Sequence, residues 1–214
     1  MMKQHLTTLS GPEKLPFSRL ALAGSILAVL AALAAVLSGL GTRWGWWHFR
    51  TGFLILRWAV VAGMAGMIAC IGAAVITKRR TLHRGFLLSI MGGLIAIPVT
   101  VIPLGWFVTV YDVPRIHDIT TDMVNPPEFR AVIPLRADAT NPVEYGGAEI
   151  AEQQQKAYPD VKPLMLPVPQ DKAFETALAA AKEMGWRIVE ASPQEGRIEA
   201  TDTTFWFGFK DDVV

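Results

Sequence analysis

Acidic residues are almost absent from the first half of this chain. Residues 1–110 hold one, Glu13, against ten Lys and Arg, whereas residues 111–214 hold eighteen Asp and Glu against ten Lys and Arg. The two halves carry +9 and −8, which sum to the +1 of the whole chain. An acidic second half repels phosphates and no basic stripe gathers anywhere, so nucleic acid is not an expected partner. Cysteine is nearly missing too. Cys70 stands alone, which excludes an intrachain disulfide, and its place in an apolar run disfavours an ionised thiol. The second half must therefore hold one modest core without covalent help. Phosphate-binding loop, nucleophile elbow, zinc spacing and dinucleotide fingerprint are all absent, so no reaction can be named from motifs.

Charge of either sign is missing from three long stretches. Leu20–Thr42, Trp58–Thr77 and Gly85–Tyr111 run for 23, 20 and 27 residues without Asp, Glu, Lys or Arg. About 20 apolar helical residues at ~1.5 Å each cross the roughly 30 Å of a bilayer core. The expected fold is therefore a membrane protein: three transmembrane helices followed by an α+β extracytoplasmic domain. The expected division is a cytoplasmic tail (1–19), a three-helix anchor in the lipid bilayer (20–111) and an exterior domain (112–214). The first run exceeds the ~7–15 apolar residues of a signal peptide and lacks a clean cleavage site, which favours an uncleaved anchor.

Basic residues set the orientation. The loop containing Lys78, Arg79, Arg80 and Arg84 has four cations and no acid, and the tail has Lys3, Lys14 and Arg19. Both are expected in the cytoplasm. The sparser connection with Arg43 and Arg50 is expected outside, and an odd number of spans then sends the C-terminal domain out. Trp44, Trp46, Trp47, Trp58 and Trp106 would form a belt at the outer headgroup level, with Arg57 reaching out along its stem.

Small residues recur at helical spacing, among them Ala28 and Ala32, Ala62 and Gly66, Ala65 and Ala69, and Gly85, Ser89 and Gly93. They suit close packing within one bundle or docking onto a larger membrane complex. Pro98 and Pro103 predict a kink in the third span. No ionisable residue accompanies them, which argues against a transport site. His48 and His83 fall at opposite ends of the bundle and His5 in the tail, so no haem ligation is expected. No cofactor or metal is expected at all.

Repeated proline makes residues 112–142 irregular. A short polar helix is expected within 145–158, and a clearer one over Gln170–Met184. There Phe174, Ala177, Leu178, Ala181 and Met184 make one apolar stripe before the stop at Gly185. A strand is predicted over Trp186–Ala191 and a second from Arg197, where Ile198 and Ala200 alternate with Arg197 and Glu199. The aromatic run Phe205-Trp206-Phe207-Gly208-Phe209 would continue that strand, either as a two-sided core strand after a bulge at Asp202–Thr204 or as a contact surface. Lys210-Asp211-Asp212 reads as a turn, and Val213-Val214 as a third strand cut short.

Several segments together are distinctive: Arg115-Ile116-His117-Asp118-Ile119-Thr120-Thr121-Asp122, Asn125-Pro126-Pro127, Tyr158-Pro159-Asp160, Gly185-Trp186, Gly196–Thr201 and Trp206–Asp212. On these, residues 111–214 resemble the bacterial domain-of-unknown-function family numbered 1499. The resemblance implies a bacterial inner-membrane protein with a periplasmic domain, and a domain that continues past Val214. It implies no assigned activity.

The candidate binding residues are His117, Asp118, Asp122, Phe205, Trp206, Phe207, Lys210 and Asp211. His117 and Asp118 have the chemistry of a base with its orienter. Neighbours in an extended chain point apart, however, and Asp118 and Asp122 beside Thr120 and Thr121 suit loop hydrogen bonding. No residue is singled out as catalytic. The expected function is a periplasmic binding module with a protein partner, as an accessory subunit of an inner-membrane complex. The alternative is an enzyme or small-ligand domain with a pocket near Trp206 and His117.

Overall fold

A computed structural model describes residues 16–79, 84–136, 139 and 141–214. The tail up to residue 15, with Lys3, His5 and Lys14, lies outside the described residues, as does the loop segment 80–83 with Arg80 and His83. The chain forms two compact units. The first takes in the described residues up to Gly41 and Gly45–Gly105; the second takes in Thr42–Trp44 and Trp106–Val214.

Three helices carry the charge-free runs: α1 (Arg19–Arg43), α2 (Phe49–Arg79) and α3 (Phe86–Asp112). All three are long and apolar enough to cross a membrane. The second is longer than its charge-free run. It starts at Phe49 rather than Trp58, so Arg50 and Arg57 are both helical. Charge ends an apolar run in a sequence but does not end a helix. α3 continues through Pro98 and Pro103.

The first unit packs small side chains inward and large ones outward. Ala21, Ala28, Ala31, Ala59, Ala73 and Ala96 are buried, whereas Leu30, Leu33, Ile68, Leu87 and Leu94 are exposed. Helices that are apolar all round are suited to an apolar solvent, and small residues let their backbones meet. At Gly66 an added methyl would lie 3.1 Å from the backbone of Ala28 and of Gly24. Ala28 is at this contact and Ser89 is buried on α3, but Ala65 faces outward. The Ser25 hydroxyl donates to the Leu88 carbonyl at 3.0 Å, joining α1 to α3. The starts of these two helices are also tied, by Ser18 N–H to Arg84 C=O at 2.8 Å and Arg84 N–H to Pro16 C=O at 3.0 Å. At the other end of α1, the Trp47 indole lies against Gly41 and donates to the Ser38 carbonyl at 3.1 Å. It thereby satisfies one of the carbonyls that a helix end leaves open.

The second unit holds a three-stranded antiparallel sheet and two helices. α4 spans Gly147–Ala157 and α5 spans Gln170–Glu183. Phe174 and Ala181 are the buried part of the α5 stripe; Ala177 and Met184 are exposed. Gly185 follows at φ +79°, a conformation natural only to glycine, and ends the helix. The strands are β1 (Arg187–Ser192), β2 (Arg197–Thr203) and β3 (Lys210–Val213), in the order β1-β2-β3.

Three expectations for this sheet are corrected. The irregularity lies in β1, between Ile188 and Glu190, rather than at Asp202–Thr204. The aromatic run is the hairpin loop between β2 and β3 rather than a strand. Lys210-Asp211-Asp212 is strand rather than turn, with Lys210 opposite Thr203 and Asp212 opposite Thr201. A six-residue loop closed by its own hydrogen bonds uses the aromatics to make the reversal, which leaves the charged residues for the ladder.

Candidate functional site

The chain between α3 and α4 has a 3-10 turn at Ile133–Arg136 as its one helical element among the described residues. Three polar clasps hold it, each reaching from a different element of the second unit. The first comes from α4. Gln154 is fully buried. Its amide oxygen accepts the Thr120 N–H at 3.0 Å and its amide nitrogen donates to the Thr120 carbonyl at 2.6 Å. Tyr145 donates its hydroxyl to the same amide oxygen at 3.2 Å. Thr120 is thus satisfied like a residue in a ladder, although no strand lies beside it.

The second clasp comes from β2. Glu199 is fully buried, which a strict alternation along the strand would not give. Its carboxylate accepts three successive backbone N–H groups, from Arg130 and Ala131 at 3.0 Å each and from Val132 at 2.8 Å. Successive amides turned toward one point make an anion-binding concavity, and here the chain's own carboxylate fills it. The Arg197 guanidinium, on the same face of the strand, completes the shell. Arg197 also meets Glu190 at 2.8 Å and Glu195 at 2.9 Å. Its hydrogen bonds to Glu190, and next those to Glu195, hold its pKa above the ordinary arginine value.

The third clasp comes from β3. Asp212 accepts the Thr201 hydroxyl at 2.6 Å and an Arg136 N–H at 2.9 Å.

These residues act on the fold. They order a proline-rich stretch whose own sequence offers neither helix nor strand. Sequence reasoning missed Glu199 and Gln154. For Glu199 there was a signal, because Arg197 and Glu199 share one face two residues apart. The amide donors lie 67 to 69 residues away and carried none.

Residues 118–214 match the model of a family described as Protein of unknown function, DUF1499. The resemblance read from the sequence therefore holds for the C-terminal part of the chain. All three clasps fall inside the DUF1499 match, as do the sheet and both helices. Neither curated proteins nor solved structures give a match to the chain.

The candidate binding residues divide by place. His117, one residue before the DUF1499 match, is exposed. Neither its side chain nor that of Lys210 makes a hydrogen bond or ion pair with a described residue. Asp122 caps its own turn through the Val124 and Asn125 N–H groups at 3.0 and 2.9 Å. Asp118 acts on Tyr145. Desolvation, and then the Asp118 charge, raise the tyrosine pKa above 10.0. Asp211 stands opposite Asp202 on the β2–β3 ladder. Among the described residues no group of three His, Cys, Asp or Glu is placed to hold a metal ion.

A raised tyrosine pKa has a direct stability consequence. The neutral phenol is favoured in the fold, so its contribution is complete below the unfolded pKa of about 10 and is lost as pH rises through the folded value. Relative to wild type, Tyr145→Phe should lose the 3.2 Å hydrogen bond at neutral pH but show a flatter fall in stability above pH 10. Chemical denaturation of both chains at pH 8 and at pH 11 would measure this. Parallel curves would show that Tyr145 does not titrate against the fold.

The aromatic residues gather in the hairpin loop. Thr204 closes it: its N–H donates to the Phe209 carbonyl at 2.8 Å, its carbonyl accepts the Gly208 N–H at 3.1 Å, and its hydroxyl accepts the Phe209 N–H at 2.9 Å. Phe207 turns into the core and stacks on Phe209 at 5.5 Å. Trp206 packs on Trp106, 5.8 Å between centroids. Phe205 is left 84% exposed. Arg43, which belongs to this same unit, donates to the carbonyls of Thr204 and Phe205 at 2.8 and 2.9 Å.

Proposed function

We propose that this chain is a membrane-anchored periplasmic binding module that serves a protein partner, as an accessory subunit of an inner-membrane complex. In this reading α1, α2 and α3 cross the bilayer, the N-terminus is cytoplasmic and the DUF1499 part lies outside. The charge-free helices, the basic bias of the loop around Lys78 and Arg84, and the acidic second half support that placement. In the membrane, an apolar groove of about 430 Å³ between α1 and α2, lined by Leu27, Leu30, Leu54, Trp58 and Ala62, offers a seat for a partner helix.

The observation that carries the binding role is the stretch between α4 and α5. Leu164 and Met165 are 81% and 85% exposed there, between Pro163 and Pro167. Two large apolar side chains held in water forgo roughly 1.5–3 kcal/mol each, and adjacent prolines keep such a segment extended and preformed for contact. A photo-crosslinking residue at Met165, in the full chain in its native membrane, should give a product of discrete mass. The same residue at Lys182, exposed on α5, should not. Equal labelling at both positions, or none at Met165, would remove the support for a partner on this segment.

A further inference from the structure

The hairpin loop poses a question that the binding role leaves open, namely why a rigid loop presents a phenylalanine to the outside. Thr204 closes it with three hydrogen bonds, and Gly208, at φ +71°, comes so close to Arg43 that an added methyl would lie 3.0 Å from that side chain. The backbone at Phe205 is therefore held, by these bonds and by the Arg43 N–H on its own carbonyl, with the ring outside. That exposure is built in, and the ring lies 6.0 Å from the Arg43 guanidinium. An exposed ring gains nothing by facing bulk water, whereas a ring paired with an arginine on an apolar stem is well suited to the headgroup layer. There the ring is partly buried and the cation meets lipid phosphates.

The loop's other contacts belong to the same level. Arg43 is the last residue of α1, where the apolar helix gives way to polar sequence, and Trp106 stands within two turns of the end of α3 at Asp112. Both are part of the second unit and both touch the loop directly. A loop bonded to two such positions shares their depth.

We infer that the loop Thr204–Phe209 is a membrane-interface element, with Phe205 inserted among the headgroups of the bilayer that the helices cross. This rests on the proposal that α1 and α3 span. It assigns the aromatic run to lipid, and leaves the Leu164–Met165 segment to the protein partner.

The test uses nitroxide labels on the full chain in phosphatidylethanolamine/phosphatidylglycerol vesicles. Single cysteines are placed at Phe205→Cys, at Met165→Cys as a loop reference, and at Leu94→Cys as a reference on the exposed face of α3. Cys70 is buried, and is replaced by Ala, or retained if it does not react. The expected result is an oxygen-to-nickel-complex accessibility ratio at position 205 several-fold above that at 165 and below that at 94. A ratio at 205 equal to that at 165, with 94 in hydrocarbon, would overturn the inference and leave the spans standing. Shielding of 205 from both reagents would also overturn it, because it marks a protein contact. A water-exposed label at 94 would refute the spans themselves, and the inference with them.

Discussion

Glu199→Ala should cost the second unit about 3–5 kcal/mol, the usual penalty for removing one member of a buried charged network. The carboxylate is the acceptor for three backbone N–H groups and for Arg197. Alanine would leave those amides buried without a partner, in a place where water replaces the lost bonds poorly. Domains of this size hold only about 5–15 kcal/mol in all, so the variant should stand near the edge of folding. The melting temperature of the second unit, followed in the full chain by near-ultraviolet circular dichroism, should fall by about 10 °C or more. Glu199→Gln should lose less, because its carbonyl oxygen can still accept the Arg130 and Ala131 amides while its NH₂ group opposes the Val132 N–H. A melting temperature unchanged in Glu199→Ala would mean that the clasp contributes nothing.

Gly92→Ala and Gly93→Ala, neighbours in α3 that each gain one methyl, should move stability in opposite directions. In a helix interior this change alone favours the folded state by up to ~1 kcal/mol. At Gly93 the nearest atom would be Cys70 Cβ at 3.9 Å, an ordinary contact, so that gain should survive. At Gly92 the new carbon would lie 2.5 Å from the Ser25 hydroxyl, 2.7 Å from the Cys70 sulfur and 2.9 Å from the Ser25 Cα. A hydroxyl can rotate away, but a Cα cannot move without its helix. The α1–α3 contact must open, which should cost about 1–3 kcal/mol and the Ser25–Leu88 hydrogen bond with it. Thermal unfolding of both variants in mild detergent would separate them. Equal stability would show that the three helices do not meet at Gly92.

Much of the first unit was legible because its signal is local and long. Twenty or more residues without charge leave few alternatives to an apolar helix. α5 was legible for a related reason: a proline start, a glycine stop and apolar residues three and four apart. The start of α2 was not, because Arg50 and Arg57 broke the apolar run while suiting a helix well. The hairpin failed differently. Phe205 to Phe209 has strong strand preference, but β3 pairs with β2 through Lys210–Val213, and that register leaves the aromatics no place but the loop. The clasps were the least legible of all. An acid on a strand reads as a solvated face unless its partners are known, and those partners come from elsewhere in the chain.

Gln154 carries a consequence of its own. Its hold on Thr120 is a neutral amide matched to a neutral peptide, whereas the grips of Glu199 and Asp212 depend on full charges. A substitution that removes either charge acts on the sheet's grips alone, because both carboxylates are buried from water, and leaves the amide pairing as it is. The winding connector is thus fastened by two kinds of joint. Substitutions that slacken its attachment to the sheet leave Thr120 bound to α4, so the segment would come loose from one end only.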